Sequence, residues 1–323
     1  MFFSESRTPG RAGRRGIALL AACAALALTA GTADAAGPVT PLFTLPAGNV
    51  APESLTADPA TGDIYVSSYT NGEVDRRAAG SGQAQVFIPG GADGRANATG
   101  VKVDSAGRLW VLGGPTGIVD VYDVKTGARI AAFTSGSTDG LLNDVAFGPD
   151  GSAYITDSYL PVVYRVAPAD LAGAANGATL PQWLSLRGTP ADYGTAKQLN
   201  LNGIGVYRGN LVTVNSTTGQ LFRICLATRS VSVVQSSAKF VDGDGLTIAG
   251  DKMWIAQNYR NTVVRAGLSG DAGVASPEVS FTSDDLRIPS SVIRYGGQTV
   301  VTRGQFGSPT PVTPFDVAAV AGV

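Results

Sequence analysis

From about residue 50 onward, apolar and polar positions alternate in short runs, each closed by a turn containing Asp or Gly. That period-two pattern predicts β-strands and leaves no room for long helices. Comparing the chain with itself shows one recurring unit: a polar or acidic residue, a small residue, an alternating apolar strand, a turn and a second apolar strand. Copies begin at Glu53 (ESLTADPATGDIYVSS), Thr99 (TGVKVDSAGRLWVLGG), Asn143 (NDVAFGPDGSAYITDS), Asn202 (NGIGVYRGNLVTVNS), Asp244 (DGLTIAGDKMWIAQN) and Ser290 (SSVIRYGGQTVVTRG). They are spaced by 46, 44, 59, 42 and 46 residues. A period in that range, with about four short strands per copy, is the length of a β-propeller blade. The longer step reflects an insertion rich in Ala, Gly and Pro, around Ala167 to Tyr193. The expected fold is all-β, a six-bladed β-propeller occupying residues 37–323 as one domain.

Each copy continues into a third strand, such as Val119-Asp120-Val121-Tyr122, and an outer strand, such as Gln85-Val86-Phe87-Ile88 or Ser280-Phe281-Thr282-Ser283. The outer pattern also appears ahead of the first copy, at Leu42-Phe43-Thr44-Leu45-Pro46. This segment is expected to be the outer strand of the sixth blade, closing the ring so that no row of backbone groups is left unpaired.

The beginning of the chain has a different character. Basic residues in RTPGRAGRRG precede the apolar run IALLAACAALALTAG and the small residues of TADAAG. This is the layout of a signal peptide over residues 1–36, cut near Ala35 or Ala36, and it predicts export. The Arg14-Arg15 pair resembles a twin-arginine signal. Leu20-Ala21-Ala22-Cys23 resembles a lipobox, but the apolar run continues past Cys23, which argues against lipid anchoring. The run is too short and Ala-rich for a membrane span. Cleavage leaves Cys225 without an intramolecular partner, and its place in the alternating run Leu221-Phe222-Arg223-Ile224-Cys225 predicts a small buried side chain.

Composition narrows the chemistry. With 24 Lys+Arg against 25 Asp+Glu, the net charge of −1 gives no basic surplus for nucleic acid. The chain has no histidine, which excludes Ser-His-Asp and Cys-His catalysis and His-ligated metals. Carboxylates, amides and hydroxyls remain.

In a propeller the innermost strands line a central channel, so equivalent positions at their starts converge. Here those positions are Glu53, Thr99, Asn143, Asn202, Asp244 and Ser290, all of which carry side-chain oxygen. Glu53, Asn143, Asn202 and Asp244 offer two carboxylates and two amide carbonyls, hard donors suited to Ca2+ or another oxygen-preferring divalent cation. Asn-Gly and Asp-Gly are also common turn dipeptides. Their recurrence at one repeat phase is what points to a shared site. By contrast, Asp58, Asp104, Asp150 and Asp157 fall in turns or at strand ends and are expected to accept backbone N–H bonds there.

Pro52-Glu53, Asn143-Asp144-Val145-Ala146, Asn202-Gly203-Ile204 and Asp244-Gly245-Leu246, with the six-copy strand pattern, resemble the SMP-30, gluconolactonase and paraoxonase family of six-bladed propellers. The resemblance covers roughly residues 40–315 through short motifs. It implies a calcium-type lactonase or esterase in which Glu53, Asn143, Asn202 and Asp244 hold the cation and Asp244 activates water. The substrate would be a small lactone or ester. Arg95, Asn97, Thr99 and Ser290 are the expected substrate rim, because gluconolactonase-like members carry an Asn preceded by an Arg on the second blade. The chain departs from paraoxonases in lacking their histidine, and Ser54 after Glu53 does not suit their second calcium.

A non-catalytic propeller that binds a ligand or protein partner, with a cation tying its blades together, is the alternative from another class. A strictosidine-synthase-like condensation would leave the ligand set without a purpose. The sequence does not determine the oligomeric state.

Overall fold

A computed structural model describes residues 39–175, 177–193 and 197–323; the signal-peptide assignment lies outside them. Among the described residues the strands form six sheets, the blades of a β-propeller. Their innermost strands are, for blades one to six, Pro52–Ala57, Val101–Val103, Leu142–Phe147, Leu201–Tyr207, Gly243–Ala249 and Val292–Tyr295. Within each blade the following strands add antiparallel and outward.

The apolar runs are nearly continuous because both faces of a blade are covered. Successive residues of a second strand therefore enter different seams. In blade one, Ile64 and Val66 pack with Ile293, Val300 and Val317 of blade six, while Tyr65 between them packs with Leu109 and Tyr122 of blade two. Six apolar clusters result, one at each junction between neighbouring blades. Trp110 and Trp254 occupy this seam phase. Trp110 meets Phe147 edge-on at 5.7 Å across the junction of blades two and three, and Arg294 lies 4.8 Å above Trp254.

Near the axis the blades are joined by hydrogen bonds to backbone carbonyls of the next blade. Ser67 Oγ donates to Thr99 O at 2.7 Å and Thr99 Oγ1 to Leu142 O at 2.7 Å. Thr156 Oγ1 donates to Asn202 O at 2.8 Å, and Ser216 Oγ donates to Gly243 O. The Gly245 amide donates to Ser290 O at 2.7 Å, and Ser290 Oγ completes the circuit on Pro52 O at 2.9 Å.

Val39–Thr44 is the outer strand of blade six, antiparallel to Asp316–Val320. Its Phe43 is buried against Leu55, Ile64, Phe315 and Val317, so the segment fastens blade six to blade one. The insertion after blade three adds strands to two blades. Gln182–Ser185 is the outer strand of blade three, and Ala178–Thr179 pairs in parallel with the edge of blade two. Tyr193 is turned inward, its hydroxyl bonded to Asp157 O at 2.5 Å. Cys225 differs from expectation: it ends its strand half-exposed, where blade four meets solvent. No helix among the described residues is long and apolar enough to cross a membrane.

Phe43→Ala is expected to cost about 3–5 kcal/mol in urea-induced unfolding, the range for emptying a buried aromatic site. Deleting residues 38–48 should lower the melting temperature further; a truncated chain melting with the wild type would contradict closure by this strand.

Candidate functional site

Four of the innermost strands carry the same irregularity. The pairing slips between Pro52 and Leu55, Leu142 and Val145, Leu201 and Ile204, and Gly243 and Leu246. In each case three steps on the inner strand oppose two on its neighbour, which is a β-bulge, a device that re-aims a side chain. Glu53, Asn143, Asn202 and Asp244 each occupy the second position of that bulged stretch. In blades two and six the paired ladder begins only at Val101 and Val292, after Thr99 and Ser290, the residues that stand at this phase.

The four bulged side chains are together at a constriction of the channel. They line the floor of a funnel of about 520 Å³ and also a small space beneath it, about 10 Å³, the scale of a single water or ion. All four are at least nine-tenths buried. Asp244 Oδ2 accepts from Asn258 Nδ2 at 2.9 Å, and Asn202 Nδ2 donates to Ser216 Oγ at 3.0 Å. Asn202 Oδ1 is buried with no hydrogen-bond partner. Neither Glu53 nor Asp244 belongs to an ion pair among the described residues.

Burial penalises these carboxylates. The Asp244 carboxyl is pushed up to about 7 chiefly by desolvation, which hydrogen bonds from Asn258 and Asn202 offset only in part. Glu53 is held well above the ordinary carboxylate range by desolvation first, then by the negative charges of Asp244 and Asp144, with Lys102 opposing. Lys102 Nζ lies 3.9 Å from Asp144 Oδ1, beneath the constriction.

Two carboxylates and two amides around one small space, with the Asn202 carbonyl oxygen left without a donor, are a set of groups that an oxygen-liganded divalent cation would suit. Among the described residues no group of three or more His, Cys, Asp or Glu side chains is arranged to hold a metal, so any cation here would depend on the amides as much as the acids.

The expected substrate rim is corrected in most of its members. Arg95 is fully buried within blade two: its guanidinium bonds Asp120 at 2.6 Å, Tyr122 Oη at 2.8 Å and Gly72 O at 3.1 Å. A buried guanidinium needs a carboxylate and acceptors of its own, and these keep it from the funnel. Asn97 is outside the funnel lining and braces the loop after the second strand of blade one by donating to Tyr69 O at 2.7 Å. Ser290 sits below the constriction, its hydroxyl engaged in joining blade six to blade one. Thr99 does reach the funnel wall, but its hydroxyl is committed to Leu142 O.

The aromatic side chains of the wall come from loops following the second strands. Tyr69, Tyr159 and Tyr259 surround the funnel together with Leu199 and Phe306, and Tyr69 and Phe306 meet edge-on with centroids 6.0 Å apart. Repeat phase could have found part of this wall: Tyr69 stands one position earlier than the tyrosines of blades three and five relative to its strand pairing, but Asp157-Ser158-Tyr159 and Gln257-Asn258-Tyr259 are equivalent triplets. The last also supplies Asn258, the partner of Asp244.

No family model and no curated protein matches the chain. Solved structures do. Virginiamycin B lyase from Staphylococcus aureus is similar with a TM-score of 0.59 at 11% identity, over 88% of this chain and 99% of that one. The PQQ-bound aldose sugar dehydrogenase from Streptomyces coelicolor gives a TM-score of 0.59 at 17% identity, over 88% and 98%. A protein of unknown function from Bacteroides thetaiotaomicron gives 0.60 at 13% identity, over 88% and 75%. At these identities the likeness establishes the shared propeller fold, which lyases and dehydrogenases also use.

Because the folded carboxyls of Asp244 and Glu53 hold protons that the unfolded chain has lost, their contribution to stability is complete below pH 4. For Asp244 it is lost as pH rises through about 7, and for Glu53 as pH rises through its own raised value. Cation-free protein should therefore melt at a lower temperature at pH 8 than at pH 5. Asp75, raised to about 7 by its own burial, adds the same sign. The difference between wild type and Asp244→Asn isolates the axial share, and parallel pH profiles would contradict this origin.

Proposed function

We propose that the chain is an exported, metal-dependent hydrolase that opens a lactone or related ester. The observation that supports this reading is the set of four bulges that carry Glu53, Asn143, Asn202 and Asp244, all of which line the funnel floor. These four residues would hold a divalent cation, most naturally Ca2+, and when bound it would supply Lewis-acid polarisation of a carbonyl and stabilise its developing negative charge.

The chain's own residues account for the rest. Asp244, oriented by the 2.9 Å bond from Asn258, takes a proton from water as the water oxygen adds to the carbonyl carbon. As the ring C–O bond breaks, Asp244 returns the proton to the departing alkoxide. A carboxyl raised toward neutrality suits both halves of that exchange. Among the described residues the funnel lining contains no Lys or Arg to pair with an anionic substrate. Tyr69, Tyr159, Tyr259, Phe306, Val50 and Leu199 instead favour an uncharged ester with an apolar body.

A screen of lactones and aryl esters with Ca2+, Mn2+ or Zn2+ tests the proposal. Asp244→Asn is expected to lower kcat/KM about 10²–10⁴-fold, the usual contribution of a positioned proton acceptor. EDTA should abolish turnover and added Ca2+ restore it. Hydrolysis at the wild-type rate in the presence of chelator would end the metal mechanism, and stabilisation by metal without turnover would favour a binding propeller.

A further inference from the structure

Away from the axis, three acidic or amide side chains meet in blade one with no counter-charge. Asp75 lies on the third strand, Val74–Arg77, and Glu73 directly precedes it. Asn49 comes from the loop that connects the outer strand of blade six to the inner strand of blade one. Asn49 and Asp75 are fully buried and Glu73 is 7% exposed. Among their side-chain ends, Asn49 Nδ2 donates to Asp75 Oδ2 at 2.7 Å, and the Glu73 and Asp75 carboxyls lie within hydrogen-bond reach of each other. Asn49 Oδ1, Glu73 Oε1 and Asp75 Oδ1 are all buried acceptors without a donor.

The neighbouring cations are committed elsewhere. Arg76 projects to the other face of the sheet and pairs with Asp63 at 2.5 Å. Arg77 bonds Ser81 O at 2.7 Å and lies over the Phe43 ring. Gly48 is suited to the close approach of the acid: a Cβ there would sit 2.8 Å from Glu73 Oε2. The adjoining turn is tied to the same loop, with Asn71 Nδ2 donating to Gly48 O at 2.9 Å.

Three orphaned oxygens from two carboxylates and an amide, shut away from water, form an arrangement that lacks a positive charge. We infer that Asn49, Glu73 and Asp75 bind a hard divalent cation, Ca2+ by the chemistry of its donors, which staples the 46–51 loop to blade one. The donors are all oxygen and their combined charge is −2, which suits Ca2+ with water or backbone carbonyl completing the shell. The loop so fixed carries Val50 and Ala51 of the funnel wall and links the closing strand to the first blade. This site stands apart from the axial one and does not depend on the proposed activity.

Calorimetric titration of the EDTA-stripped full chain with Ca2+ alone, alongside melting curves, tests the inference. Wild type is expected to bind two Ca2+ per chain; Glu73→Gln and Asp75→Asn should each lose one and lose part of the thermal shift, while keeping the ion that Asp244→Asn removes. If Asp75→Asn does not fold, Glu73→Gln carries the comparison. Wild-type stoichiometry in the folded blade-one variants would overturn the site. So would a wild type whose single Ca2+ is lost only in Asp244→Asn, the result expected if Glu73 and Asp75 merely share a proton. Failure of the axial reading looks different: Asp244→Asn would then bind as much Ca2+ as wild type.

Discussion

The circuit of hydrogen bonds around the axis is the constraint on which the remaining architecture depends. Each blade passes a hydroxyl or amide proton to a carbonyl at or near the start of the next blade's inner strand, from Ser67 onto Thr99 O round to Ser290 onto Pro52 O. Bonds of this kind hold the inner strands so close that side chains cannot stand between them. A Cβ on Gly203 would lie 2.3 Å from Asp244 O, and one on Gly100 would lie 2.5 Å from Asn143 O. The glycines of the Thr-Gly, Asn-Gly and Asp-Gly pairs are therefore packing requirements between blades. Their place in a turn-like dipeptide is secondary.

Close approach of the strands has a chemical consequence. Where an inner strand bulges, the residue ahead of the tight contact is turned toward the channel, and four blades do this with an acid or an amide. Burying Glu53 and Asp244 at one point without a compensating charge is unfavourable, as their raised carboxyl values express. The six apolar seams and the closing strand hold the site together against that cost. Local rules broken at one place and compensated across the rest of the fold are the usual mark of a functional centre.

Polar groups of the same type have diverged in use according to where the fold carries them. Asp104 accepts Trp110 Nε1 at 2.9 Å and Arg108 Nε at 2.6 Å, a turn acid with its needs met, in keeping with its position between strands. Asp120 neutralises Arg95 inside blade two. Asp244, Glu53, Asp75 and Glu73 have no ion-pair partner among the described residues, and they mark two places where polar side chains converge without one.

The sequence alone determined the number of blades, the closing strand and the four residues at the constriction. Each is a periodic property, and a repeat of fixed length carries every residue to a known phase of a known strand. It misplaced Arg95, Asn97 and Ser290, because being near a site in sequence says nothing about which side of a loop a side chain takes or which carbonyl claims its hydroxyl. Tertiary structure decided those, along with the aromatic wall from Tyr69, Tyr159 and Tyr259 and the meeting of Asn49 with Glu73 and Asp75. Such contacts join elements that share no period, and only the closure of the ring brings them within a few ångströms.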